Sequence, residues 1–165
     1  MEDLKQVMPK KLGFGCMRLP VANGNSEEID DVVFSRMIDR YMEQGFVYFD
    51  TAYPYHNQKS EEAVRRCLVE RYDRERFLLA DKMPVWLVQN TEDYSEIFER
   101  QLARCGVTYF DFYLLHAMNK TRVEETEKTG GFAFVQRMKT EGRIRHIGFS
   151  FHDTAEALEE ILKNH

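Results

Sequence analysis

The chain has 165 residues, enough for one well-buried domain, and a composition ordinary for a globular protein: 43% hydrophobic, 31% charged and 13% aromatic. A net charge of −5 with no dense basic stripe argues against nucleic acid as a partner, and no apolar run approaches membrane-spanning length. The N-terminal Met1-Glu2-Asp3-Leu4-Lys5 has acids and no apolar segment, so no signal peptide is expected; Cys16, Cys67 and Cys105, odd in number and without metal or cluster spacing, read as free thiols in a reducing cytoplasm, and no metal site is expected.

Residues 1–9 read as a frayed or hairpin start. Leu12 to Met17 is a short strand whose glycines, Gly13 and Gly15, either permit close backbone approach beneath a ligand or mark a weak, bulged strand. Pro20 to Asn25 is a turn. Glu28 to Gln44 carries Ile29, Val32, Val33, Met37, Ile38 and Tyr41 at helical period, and Gly45 is placed to cap its C-terminus. Phe46 to Phe49 is a bulky, strand-favouring run. Asp50 stands where that strand gives out, Pro54 blocks any continuation, and Tyr55 sits on the loop beyond.

Ser60 is placed to cap a helix running to about Arg71 through Ala63, Val64, Cys67 and Leu68. Phe77 to Asp81 is a third strand ending at Lys82, with Pro84 and Trp86 on the loop above. Thr91 to Ala103 is a helix buried through Tyr94, Ile97, Phe98 and Leu102 and ended by Gly106. Phe110 to Leu115 is a fourth strand, ending at His116. Ala117 to Lys128 is polar and aperiodic and reads as a loop with at most a short helical turn. Phe132 to Lys139 is a helix stopped near Gly142, and Arg145 to Phe149 is a fifth strand. Asp153-Thr154-Ala155-Glu156 has the form of a capping box opening a helix through Leu158, Ile161 and Leu162. Five strands alternating with five helices predict a parallel sheet with right-handed crossovers, in one domain spanning residues 1–165.

Asp50, Lys82 and His116 all fall at strand ends, where parallel barrels place their reacting groups, and Tyr55 stands nearby. Each also has an ordinary structural reading: a turn carboxylate, a solvated lysine with Asp81 as its partner, a buried histidine and a packing tyrosine. His56, His146 and His152 are alternative histidines, ranked below His116.

Phe49-Asp50-Thr51-Ala52 with Tyr55 and Ser60-Glu61, the Lys82 strand end, and Phe112-Tyr113-Leu114-Leu115-His116 resemble the aldo-keto reductase family. So do Leu12-Gly13-Phe14-Gly15-Cys16-Met17-Arg18-Leu19 and Gly142-Arg143-Ile144-Arg145-His146-Ile147-Gly148-Phe149-Ser150, and the resemblance spans almost the whole chain. It implies a (β/α)8 barrel of which this chain holds the first five units, a partial TIM-type barrel lacking units six to eight. It implies reduction of aldehydes or ketones with NADPH by a tetrad falling on Asp50, Tyr55, Lys82 and His116. In that scheme Tyr55 gives the proton, Lys82 stabilises its phenolate, Asp50 holds Lys82 and His116 orients the substrate carbonyl. Gly13, Asp50 and Ser150 would contact the cofactor, with Ser150 on the nicotinamide carboxamide. The family's adenosine and 2′-phosphate contacts come mostly from the later units, so weak NADPH binding is expected. So is self-association, or pairing with a complementing C-terminal half, because the sheet's edges would otherwise stand open. A catalytically inactive remnant or binding module of the same fold is the alternative.

Overall fold

Strands β1 (Gly13–Gly15), β2 (Tyr48–Asp50), β3 (Leu78–Met83), β4 (Phe110–Met118) and β5 (Ile144–Phe151) pair in parallel, in chain order, in one sheet. The computed structural model describes Met8 and residues 10–164, so the start expected for residues 1–9 lies, apart from Met8, outside the described residues. The helices are α1 (Asp31–Glu43), α2 (Ser60–Val64), α3 (Thr91–Cys105), α4 (Lys120–Thr129), α5 (Gly131–Thr140) and α6 (Ala155–Asn164). None of the described helices is long and apolar enough to cross a membrane.

Local chemistry sets most helix ends. Asp30 caps α1 by accepting from the backbone N–H groups of Val32 and Val33, and Gly45 follows in the left-handed conformation at φ +74°. Asn90 and Asp93 form a reciprocal capping box at α3, which ends at left-handed Gly106. Four expectations need correction. The segment Ala117 to Lys128 is largely helix α4, capped by Asn119, whose side chain accepts from Arg122 N–H at 2.9 Å, and closed by left-handed Gly130. Its caps form it where hydrophobic period is lacking. Ser60 is not a cap but the first residue of α2; its hydroxyl donates to Cys16 O at 3.2 Å. That helix keeps α geometry only to Val64 and then widens into a π turn over Arg65–Val69, with Glu70 N–H reaching Arg65 O at 2.9 Å. The cap of α6 is Thr154, which accepts from Ala157 N–H, while Asp153 accepts from Thr154 N–H and Lys120 N–H.

Strand alternation gives the sheet two different faces. Phe49, Leu79, Met83, Tyr113 and Leu115 lie on the outer face, buried beneath the helices with Phe98, Leu102 and Phe134. Each such side chain contributes about 1.5–3 kcal/mol on burial. The inner face carries Tyr48, Asp50, Lys82, Phe112, Leu114 and His146. Apart from Lys82 these are half-buried, and Phe112 stacks on His146 with ring centroids 4.8 Å apart. Pairing puts Gly15, Asp50 and Ala80 at one level, which is the level of the inner rim.

One buried polar group stands on the outer face directly behind the rim. Asp81 hydrogen-bonds Glu61, both being fully buried; Glu61 also meets Arg104 and accepts from the Gln101 amide, whose Nε2 further donates to Lys82 O at 3.0 Å. Burial, and then the charge of Glu61, push the Asp81 carboxyl well up, so Asp81 holds the shared proton and Glu61 bears the charge facing Arg104. The unfolded chain releases that proton near pH ~4. The stability it gives is therefore complete below that value and declines as pH rises towards the folded value. Asp81→Asn, neutral at every pH, is expected to flatten this decline and to raise the urea midpoint at pH 8 relative to pH 5. Parallel midpoint–pH profiles for the two proteins would show that Asp81 is not the proton carrier.

Candidate active site

The side chains of Asp50, Tyr55, Lys82 and His116 converge at the C-terminal rim of the inner face. Lys82, only 5% exposed, donates from Nζ to Asp50 Oδ1 at 2.5 Å, to Thr51 O at 2.8 Å and to Tyr55 Oη at 3.1 Å. Three acceptors use all three ammonium protons. Burial works against the charge of Lys82, and Asp50 followed by Tyr55 more than restores it, so the net direction is upward and Lys82 is an ammonium. The ring of Tyr55 meets that of His116 edge-on at 6.1 Å, and His116 in turn lies 5.1 Å from the indole of Trp86.

His116 is 8% exposed, and its Nδ1 is buried without a hydrogen-bond partner among the described residues, which leaves Nε2 as the nitrogen towards the cleft. Burial, then the charges of Lys82 and Arg122, lower its pKa to about 4, so the imidazole is neutral at physiological pH. Above these groups opens a cleft of about 410 Å³ lined by Met17, Pro54, Tyr55, His56, Trp86, His116, Ala117 and Arg122.

The loop carrying Tyr55 is held by strained backbone. His56, Asn57 and Gln58 all adopt positive φ, at 51°, 47° and 68°, a conformation that costs non-glycine residues about 1–3 kcal/mol each and persists only where neighbours enforce it. The neighbours are visible. His56 Nε2 accepts from Leu19 N–H at 2.8 Å, so Nδ1 carries the proton and donates to Ser26 O at 2.8 Å. Asn57 donates to Glu27 Oε1 at 2.9 Å, and Arg104 donates to Gln58 O. His56 thus belongs to the loop's anchorage, whereas His116 faces Tyr55.

Ala117 is a second strained residue, at φ +54° immediately after His116. Its N–H donates to Ser150 Oγ at 2.7 Å, and its carbonyl accepts from Arg122 Nη1 at 2.7 Å. Ser150 is therefore at the rim but already occupied as an acceptor; its own hydroxyl proton remains available. Gly13 lies at the start of β1, below the rim, where a Cβ would come within 2.9 Å of the Tyr48 ring. Its close approach is to that ring. Gly15, level with Asp50, has open space in the same position.

The profile of the aldo/keto reductase family matches residues 11–165. The chain belongs to the aldo/keto reductase family. Glyoxal reductase of Bacillus subtilis is 29% identical over 153 residues, covering 92% of this chain and 49% of that protein. Among solved structures, the holo form of an aldo-keto reductase from Bacillus halodurans is 28% identical with a TM-score of 0.71, covering 92% of this chain and 49% of that one. A Pseudomonas aldo-keto reductase at 22% identity and TM-score 0.73 adds likeness of fold over 92% of this chain and 59% of its own. The five-stranded sheet is thus part of the family's (β/α)8 fold, and the chain spans about half the length of the curated relatives it matches.

Sequence reasoning had no place for two features of this reductase-family rim. Arg122 fell in a segment read as loop, and only the Asn119 cap hinted at a helix there. The left-handed run His56–Gln58 contains no glycine to mark it; Asn57, the residue type most tolerant of that conformation, was the one available signal.

Proposed function

We propose that this site reduces aldehydes or ketones to alcohols by NAD(P)H-dependent hydride transfer, with Tyr55 as proton donor. The observation that carries this reading is the Lys82 ammonium, fixed by Asp50 and Thr51 and donating at 3.1 Å to the Tyr55 hydroxyl at the floor of the cleft. As the phenol passes its proton to the developing alkoxide, that ammonium stabilises the phenolate left behind. His116, neutral and open to the cleft through Nε2, donates a hydrogen bond to the substrate carbonyl and orients it.

The residues fit a nicotinamide. Gly15 leaves open space at the level of Asp50, the Asp50 side chain is partly accessible, and Ser150 keeps a hydroxyl proton for a carboxamide oxygen. The bound cofactor supplies the hydride. Gly13 supports this arrangement from below by admitting the Tyr48 ring.

A second reading, an inactive remnant or binding module of the same fold, is favoured by two open apolar surfaces. One is a groove of about 350 Å³ between β5, α5 and α6, lined by Leu115, Val135, Ile147, Phe149, Ile161 and Leu162, the last 66% exposed. The other, beside β1, includes Phe14, Val33, Met37, Tyr41 and Phe46. Such surfaces call for a covering partner: a second copy, or a complementing C-terminal half that also completes the cofactor site.

Sizing and NADPH titration, read by the fluorescence of Trp86, test both readings. The 165-residue chain is expected to run larger than a monomer and to bind NADPH more weakly than a full-length relative. Tight binding and aldehyde reduction gained on adding a C-terminal half would establish the reductase reading. Self-association with neither binding nor turnover would favour the remnant. A monodisperse monomer binding NADPH at low micromolar concentration would overturn the need for a covering partner.

A further inference from the structure

The cleft over Tyr55 and His116 contains a cation that proton transfer does not use. Arg122 projects from the first turn of α4 and lines the cleft, where no described lining residue is a carboxylate. Among the described residues its guanidinium is engaged on two sides. Nη1 donates to Ala117 O at 2.7 Å, and the Cζ atom lies 5.1 Å from the centroid of the Trp86 ring. Among the described residues no ion pair holds it, in contrast to Arg74, Arg104 and Arg145, which all meet buried carboxylates. A guanidinium carries five N–H donors, so most of its donor capacity is unspent.

Its position relative to the reacting groups is fixed from the same indole. The His116 ring and the Arg122 Cζ are each 5.1 Å from Trp86, so they stand no more than twice that distance apart. Ala117 follows His116 directly in the chain, and its carbonyl accepts the Arg122 hydrogen bond, so that bond ties the guanidinium to the strand end. The cleft therefore has a carbonyl-binding end at Tyr55 and His116, an aromatic wall at Trp86, and a cationic end at Arg122. Nearby, Asp50 already neutralises Lys82. The charge left over in the cleft is positive.

We propose that Arg122 is a specificity-determining residue that selects carbonyl substrates bearing a carboxylate: oxo-acids or aldehyde-acids whose acid group lies across a short, flat spacer from the carbonyl. The inference rests on the reductase reading for treating the cleft as the substrate site. It adds which carbonyl compounds the site prefers. A carboxylate against a preorganised, partly desolvated guanidinium makes charge-assisted hydrogen bonds, and these distinguish it from a neutral ester of the same shape. Arg122 also steadies Ala117, so a purely structural role is the competing explanation. That role predicts equal damage to charged and neutral ligands.

The test compares 4-carboxybenzaldehyde with methyl 4-formylbenzoate, titrated against the full chain and followed by Trp86, its single tryptophan. The acid is expected to bind about tenfold more tightly than the ester. This ratio should fall to about one in Arg122→Gln and be partly retained in Arg122→Lys, which preserves the charge but not the planar fork. A ratio near one in the unaltered protein overturns the proposal. So does a ratio that Arg122→Gln leaves unchanged, which would assign the residue a structural role. A loss in Arg122→Gln that falls on NADPH instead of the acid would assign the guanidinium to a cofactor phosphate and overturn it equally. NADPH-dependent turnover of the same two aldehydes reports separately on the reductase reading. Acid preference with no turnover, either alone or with a C-terminal half added, upholds the role of Arg122 and removes the reductase; turnover without preference does the reverse.

Discussion

On the proposed reductase reading, Tyr55→Phe is expected to lower kcat for aldehyde reduction by about 10²–10⁴-fold while leaving the protein folded. The substitution deletes one hydroxyl. The loop's conformation does not depend on that hydroxyl, because His56, Asn57 and Gln58 are anchored independently to Leu19, Ser26, Glu27 and Arg104. The ring can keep its edge contact with His116. What disappears is the proton, with the acceptor that Lys82 addresses at 3.1 Å. Lys82→Met should reduce turnover by a comparable factor for a different reason. It removes the cation that stabilises the phenolate and leaves the Asp50 carboxylate beside Tyr55 without its partner. The two defects should not add, since both act on one proton transfer. Steady-state kinetics on both single variants and the double variant measure this. Retained turnover in Tyr55→Phe would shift attention to Tyr53 or to a different mechanism.

The convergence of Asp50, Lys82 and His116 was legible because its geometry follows from strand alternation. Once Asp50, Lys82 and His116 are each placed at the end of a parallel strand, two-residue periodicity decides their face. The structure brings all three to the inner rim, with Asp81 turned outward. Sequence could not show what Asp81 meets there, because Glu61 and Gln101 come from helices whose rotation about their axes no local rule fixes. Helix α4 was missed for a related reason. Its exposed, polar surface lacks the hydrophobic period that marks a packed helix, and Val123 and buried Thr126 are too few to restore it. Missing α4 meant missing Arg122, a cleft cation with no carboxylate partner among the described residues. Ser60 misled because a serine before an acidic pair resembles a cap. Its hydroxyl instead donates to Cys16 O and accepts from Thr51, tying α2 to the end of β1 and the loop after β2.

At the opposite end of the sheet, Asp111→Ala is expected to destabilise the fold by about 3–5 kcal/mol, the cost of breaking a buried ion pair from one side. Asp111 is fully buried in β4. Its Oδ2 accepts from Arg74 Nη2 at 2.6 Å and from Leu79 N–H at 2.9 Å, and its Oδ1 accepts from Arg145 Nη1 at 2.9 Å. One carboxylate therefore fastens the start of β3, the turn before it and the start of β5 to β4. Alanine would leave the Leu79 N–H unpaired in the interior and Arg74, largely sequestered between Phe77 and Tyr109, without a counter-charge. For a chain of this size a loss of that order lowers the thermal midpoint by about 10 °C or more. Asp111→Asn keeps an acceptor for Leu79 and should lose less, because only the charge pairing is weakened. Arg145, more than half exposed, should matter least of the three partners when replaced by Gln, at about 1 kcal/mol or below. Urea midpoints for the three variants test this order. An Asp111→Ala protein within about 1 kcal/mol of the parent would mean that water entering from the Arg145 side satisfies Leu79 and Arg74 equally well, and the carboxylate would then not be the clasp of the sheet's lower end.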